Sequence, residues 1–142
     1  MIRKKKLKKP SELLNIYSQQ LTRGLEEKLI PIAFHIDFTY QSAKIVTIAG
    51  YVIFRNRWIL EFNEIIQQEG LEVKKVKYRY HIMDKDKQLI LRYDNVPHFP
   101  KIKTHPHHKH FRDKVTESTG PGLLKVINEV ETLLVKEKAK MY

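Results

Sequence analysis

The sequence predicts an α+β fold: a five-stranded, mostly antiparallel meander with an N-terminal and a C-terminal helix packed on one face. Apolar and polar residues alternate between residues 32 and 94, and apolar residues recur at spacings of three and four at both ends. The strand-like runs are separated by short turns rather than by crossover helices, which favours antiparallel pairing. A chain of 142 residues suits one domain with one core, here residues 11–142 behind a basic flexible tail over residues 1–10.

The elements follow in order. Over Ser11–Ile30, Leu13, Leu14, Tyr17, Leu21, Leu25 and Leu29 share a helix face, with Ser11 as N-cap and Gly24 as a point of loosening. Ile32–Tyr40 alternates as a strand. Lys44–Phe54 is apolar on both sides (Ile45, Tyr51 and Ile53 against Val46, Ile48, Val52 and Phe54), the pattern of a strand buried between layers. After an Arg55-Asn56 turn, Arg57–Ile66 puts Trp58, Leu60 and Phe62 on one face and Glu61 and Asn63 on the other. In Val73–Ile82, Val76, Tyr78, Tyr80 and Ile82 alternate with Lys75, Lys77, Arg79 and His81, so one face is apolar and the other basic. Asp84–Lys87 reads as a turn leading into a strand that ends at Asp94. A hairpin centred on Lys85-Asp86 pairs Ile82 with Leu89, Tyr80 with Leu91 and Tyr78 with Tyr93, and sets Arg79 opposite Arg92 and Lys77 opposite Asp94. Residues 95–118, with Pro97, Pro100 and Pro106, read as a long His-rich loop. Beyond Gly120-Pro121, Leu123, Val126, Ile127, Val130, Leu133 and Leu134 mark the closing helix.

Composition narrows the function. With 42% apolar and 30% charged residues the chain is globular, and with no cysteine it has no disulfide framework, thiol nucleophile or Cys-containing zinc site. The longest apolar stretch, Ile45–Phe54, is about half the ~20 residues a spanning helix needs, so no membrane role and a cytoplasmic location are expected. The net charge of +11 favours polyanionic partners. Met1–Lys9 holds six basic residues and no acidic ones, the composition of a solvated tail, which leaves +5 on the rest. There is no GxxxxGK[ST], GxGxxG, GxSxG or HExxH motif, so phosphate-loop hydrolysis, hydride transfer, serine hydrolysis and zincin chemistry lack support.

Two constellations carry chemistry. One is the basic face of the Val73–Asp94 hairpin, where Lys75, Lys77, Arg79 and Arg92 offer phosphate contacts beside the titratable His81; guanidinium forks match phosphate in a bidentate way. The other is the His-rich loop, which holds His98, His105, His107, His108 and His110, five of the seven histidines. Imidazoles exchange protons near neutral pH, and with arginines they make a metal-independent RNA-cleaving set. Imidazoles also bind divalent metals, and His105, His107 and His110 are placed to converge with Asp94 or Asp113. Tyr78, Tyr80, Tyr93 and Trp58 are candidates for stacking on bases, although their alternate strand positions fit the core better.

Three ordered segments resemble the TumE family: Tyr78-Arg79-Tyr80-His81-Ile82-Met83-Asp84, then Arg92-Tyr93-Asp94-Asn95-Val96-Pro97-His98, then Pro106-His107-His108-Lys109-His110. This chain has Phe99 where related sequences tend to carry a second histidine, and His105 where they carry an apolar residue. The resemblance implies a growth-inhibiting toxin acting on RNA and encoded beside an antitoxin with a DNA-binding domain. By position it points to Arg79, His81, Asp84, Arg92, Asp94, His107, His108, Lys109 and His110.

The resulting expectation is a toxin that cleaves RNA without a cofactor. His81, His107, His108, His110 and Asp94 form the catalytic set, and Lys75, Lys77, Arg79, Arg92 and Lys109 hold the phosphate. The alternatives are a nucleic-acid-binding module without catalysis and a nuclease dependent on a divalent metal. Expected partners are RNA and the antitoxin, with oligomerisation left open.

Overall fold

The computed structural model describes residues 10–28, 31 and 33–139. The basic segment Met1–Lys9 lies outside the described residues, as do Leu29, Ile30 and Ile32. Helix α1 (Glu12–Glu26) is followed by strands β1 (Ala33–Ser42), β2 (Ile45–Ile53), β3 (Ile59–Glu69), β4 (Glu72–Met83), β5 (Leu89–Asp94), β6 (His108–Phe111) and β7 (Lys114–Glu117), and helix α2 (Leu123–Ala139) closes the chain. All seven strands form one antiparallel sheet in sequence order. The meander is therefore as expected but has seven strands, not five: the supposed loop over residues 95–118 contains β6 and β7. Their hairpin turns at Arg112, whose φ of 56° lies in the left-handed region that tight turns use.

Alternation gives each strand two different faces. Val46, Ile48, Val52, Leu60, Phe62, Ile66, Tyr80, Ile82 and Leu91 are buried on one face, beneath Leu14, Leu21 and Leu25 of α1 and Leu123, Val126, Ile127 and Val130 of α2. Helix α1 starts where Ser11 Oγ accepts a hydrogen bond from the Leu14 amide at 3.2 Å. Gly24 does not loosen it. A Cβ there would stand 2.4 Å from a methyl of Leu124, so glycine lets α2 lie close. Gly50 has a similar role in β2, where a Cβ would meet the Phe62 ring at 2.7 Å and the His35 carbonyl oxygen at 2.0 Å. The other face of the sheet is open, and Tyr51 on it is 41% exposed. Strand β2 is thus covered on one side only, not buried between two layers.

Two irregularities correct the expected placement of side chains. Strand β4 pairs with β5 as Arg79↔Asp94, Tyr80↔Tyr93, His81↔Arg92 and Ile82↔Leu91. This register differs by two residues from the expected one. Lys87 at φ 62° and Asp84 Oδ1, which accepts from the amides of Asp86 and Gln88 at 2.9 Å each, shape the turn, and an irregularity follows between Ile82 and Met83. An even shift preserves the faces but changes the neighbours, so Arg79 faces Asp94, and Arg92 stands beside His81 rather than Arg79. In β3–β4, Ile65 pairs with Lys77 but Ile66 with Lys75, leaving Val76 as the extra residue of a bulge. Val76 turns outward, 42% exposed, and Lys75 passes to the helix side.

That crossing completes a buried polar network. Glu64, 1% exposed, accepts from the hydroxyl of Tyr17 on α1 and from that of Tyr80 on β4, the latter at 2.5 Å. Lys75 Nζ donates to Tyr80 Oη at 2.7 Å and to the Pro121 carbonyl at 2.9 Å, and lies over the rings of Tyr78 and Tyr80. Burial and the Glu64 charge push the Tyr17 and Tyr80 hydroxyls far above their usual range, so both remain donors. Burial pulls Lys75 down, and Glu64 partly offsets it. The network ties α1, β3, β4 and the start of α2 together. Glu64→Ala leaves the Tyr17 and Tyr80 hydroxyls without their acceptor and the buried Lys75 without its compensating charge, so stability should fall by about 3–5 kcal/mol, read as a lower urea midpoint at an unchanged slope. A loss below about 1 kcal/mol contradicts the network.

Candidate active site on the open sheet face

The registers place outward-facing residues on two rungs that run across all seven strands. One rung is Asp37–Ala49–Asn63–Arg79–Asp94–His108–Glu117, and the next is His35–Tyr51–Glu61–His81–Arg92–His110–Val115. Arg79, His81, Arg92, Asp94, His108 and His110 therefore gather on neighbouring positions of one face. Adjacent strands lie about 4.8 Å apart, so His81 and His110, which flank Arg92, are roughly 10 Å apart at the backbone.

Asp94, 4% exposed, organises the group. Its Oδ1 lies 2.9 Å from His108 Nε2 and accepts from the Val96 amide at 3.0 Å, while Oδ2 lies 3.2 Å from Arg92 Nε. The Arg92 contact is an ion pair rather than a hydrogen bond, since the buried Nε has no hydrogen-bond partner. His108, 2% exposed, also sets Nδ1 3.0 Å from the Pro106 carbonyl. Both ring nitrogens of His108 thus face oxygen atoms.

The two outer histidines differ from His108. Arg92 Nη2 donates to His110 Nε2 at 3.1 Å, which requires that nitrogen to be unprotonated. Burial, then Arg92, then His108 hold His110 below the usual imidazole range, against a smaller opposing pull from Asp94, whose Oδ2 is 3.9 Å away. His81 is lowered by burial, then Arg79, then Arg92, with Glu61 opposing. Its Nδ1 lies 3.4 Å from Arg79 Nη2. Phe99 packs edge-on against His108 and His110, with ring centroids 4.9 and 5.7 Å away, and so walls the site.

Several expected site residues lie elsewhere. Lys75 is under the helices. Lys109 alternates with His108 and His110 and so points to the helix side, where its Nζ pairs with Glu129 at 2.6 Å and lies over the Tyr93 ring. The His107 ring stacks on Tyr78, with Nδ1 2.8 Å from the Tyr78 hydroxyl, which burial and then Asp94 push up to about 12. His98 and His105 are exposed, and Asp84 shapes its turn. His105, His107 and His110 therefore do not converge as a metal set. Among the described residues, the group with ligand atoms close enough is Asp94, His108 and His110, all within 4.8 Å of one another. The Nδ1 contact of His108 with a carbonyl suits a metal ligand, but the Arg92 guanidinium stands against both Asp94 Oδ2 and His110 Nε2. Lys77 is exposed on the open face, opposite Ile65. Phe99 was missed as a wall residue; the histidines it contacts are its only signal.

The open sheet face thus carries one guanidinium, Arg92, between the imidazoles of His81 and His110, with Arg79 on the neighbouring rung. The family model described as Toxin TumE matches residues 21–138, and the chain belongs to this toxin family. It is accordingly a toxin with a cognate antitoxin as partner. Searches of curated proteins and of solved structures return no match. No helix among the described residues is long and apolar enough to cross a membrane.

The imidazole environments are directly measurable. His81 and His110 should titrate below 6.5 by NMR, and Arg92→Ala should raise both midpoints, whereas unchanged midpoints would contradict the assigned cause. Because these folded values lie below the unfolded 6.5, the two histidines favour the folded state above pH 6.5. That contribution is lost as pH falls through the folded midpoints.

Proposed function

We propose that this toxin cleaves RNA without a metal, using His81, Arg92 and His110 as the central rung. The observation that carries the reading is the order along that rung, one arginine between two imidazoles on neighbouring strands. Arg79 and Arg92 hold the phosphate, since guanidinium groups match its oxygens in a bidentate way. Neutral His81 takes the proton of the 2′-hydroxyl; the 2′-oxygen attacks phosphorus, the bond from phosphorus to the 5′-oxygen breaks, and His110 as imidazolium protonates the leaving oxygen. When Arg92 turns to the phosphate it releases His110 Nε2, and both the phosphate charge and Asp94 then favour protonation there. His108 is a positioning residue: buried on both sides, it fixes Asp94. Lys77 adds charge along the same face. The antitoxin, expected to carry a DNA-binding domain, must cover this face, and acidic residues would complement it.

His81→Ala and His110→Ala should each lower the cleavage rate of a labelled RNA in EDTA by ~10²–10⁴-fold with circular dichroism unchanged. Because both histidines are held below 6.5 in the free protein, kcat/KM should peak on the acid side of that value; a kcat/KM flat from pH 5 to 8 contradicts the pair. A second reading, a nuclease with a divalent metal on Asp94, His108 and His110, is favoured by their convergence. It requires Arg92 to vacate the position and predicts that EDTA abolishes cleavage.

A further inference from the structure

The open face continues past the histidines. On the same rung as His81, Arg92 and His110 lie Glu61 of β3 and Tyr51 of β2. Tyr51 is 41% exposed, and the exposed His35 ring braces it at a centroid distance of 5.7 Å and an interplanar angle of 31°. His35 is itself held by Asp37 at 2.8 Å, so the aromatic pair has a fixed support on the edge strand. Glu61 is exposed and makes no side-chain hydrogen bond or ion pair among the described residues. A carboxylate beside a phosphate site is repulsive, so its position one strand beyond His81 suits a base edge better than a backbone.

We infer that Tyr51 and Glu61 form a nucleobase subsite that selects guanine on the 5′ side of the phosphate held by Arg92. The location of that phosphate rests on the RNA-cleaving reading above; the base contact does not. Tyr51 stacks on the base, as aromatic side chains on single-strand-binding surfaces do. Glu61, directly opposite Tyr51 in the β2–β3 pairing, then meets the Watson–Crick edge. Guanine presents two adjacent donors there, N1–H and the 2-amino group, which match both carboxylate oxygens. Adenine, cytosine and uracil each offer a single donor group on that edge. Tyr51 and His81 are two strand spacings apart, about 10 Å, so a base on Tyr51 directs its own 2′-hydroxyl toward His81 and its 3′-phosphate toward the long side chain of Arg92 on the next strand. Charge divides along the rung in the same way, with Arg92 at the phosphate end and an aromatic ring and a carboxylate at the base end.

The test has two arms on the full chain. In the binding arm, the 3′-monophosphates of guanosine, adenosine, cytidine and uridine are titrated by NMR. Guanosine 3′-monophosphate should bind about tenfold more tightly than the others. Glu61→Gln should level the four, Tyr51→Ala should weaken all of them about tenfold, and Tyr51→Phe should restore binding. In the cleavage arm, DNA oligonucleotides with a single ribonucleotide are tested, and rG should be cut fastest. Equal binding of the four nucleotides, or a preference untouched by Glu61→Gln, overturns the subsite whether or not RNA is cleaved. Guanine-selective binding without cleavage upholds the subsite and removes the ribonuclease reading.

Discussion

The buried carboxylate of Asp94 is the contact around which the functional face is arranged. It sits at the end of β5, where it meets His108 from β6 and Arg92 from its own strand, and it accepts the Val96 amide as the chain leaves the sheet. Removing a carboxylate from water is costly unless charge and hydrogen bonds compensate, and here a guanidinium, an imidazole and an amide do so. The same contacts fix the β5–β6 register, and that register sets Arg92 opposite His110. The site follows from neutralising one buried charge.

The opposite face shows the same physics in a different role. Glu64 is buried between helix and sheet, and Tyr17, Tyr80 and Lys75 surround it with donors from three elements. This polar cluster lies under the helices, away from the open face, and its evident effect is to fix how α1 and the start of α2 sit on β3 and β4. Lys109 and Glu129 make a similar tie between β6 and α2. Basic residues that look alike in the sequence are thus divided between anchoring the helices and lining the open face.

Much of this was legible in the sequence because period-two alternation separates the faces. The alternation in Val73–Ile82 and in the strand ending at Asp94 identified Tyr78, Tyr80, Leu91 and Tyr93 as core and Arg79, His81 and Arg92 as outward, and the structure has them so. Alternation does not encode register, which depends on turn conformation and bulges, so the Arg79–Arg92 pair was expected where Arg79–Asp94 forms. The Val76 bulge is invisible in the pattern and carried Lys75 to the wrong face. Strands β6 and β7 were hidden because each has four residues and the segment is polar and preceded by prolines. Once β6 is seen as a strand, its period separates His108 and His110 from His107 and Lys109. The apolar residues on both sides of β2 suggested two covering layers, yet Tyr51 is exposed because both helices pack on the other face.

The central claim is that RNA is cut by its own 2′-hydroxyl, activated by a histidine beside an arginine-held phosphate. The most direct measurement is the chemistry of the cut ends, read by mass spectrometry on products formed by the purified toxin in EDTA. The account predicts a 2′,3′-cyclic phosphate, or the 3′-phosphate it hydrolyses to, on one fragment and a 5′-hydroxyl on the other. Fragments ending in 3′-hydroxyl and 5′-phosphate would contradict it, because they require water or hydroxide as the nucleophile.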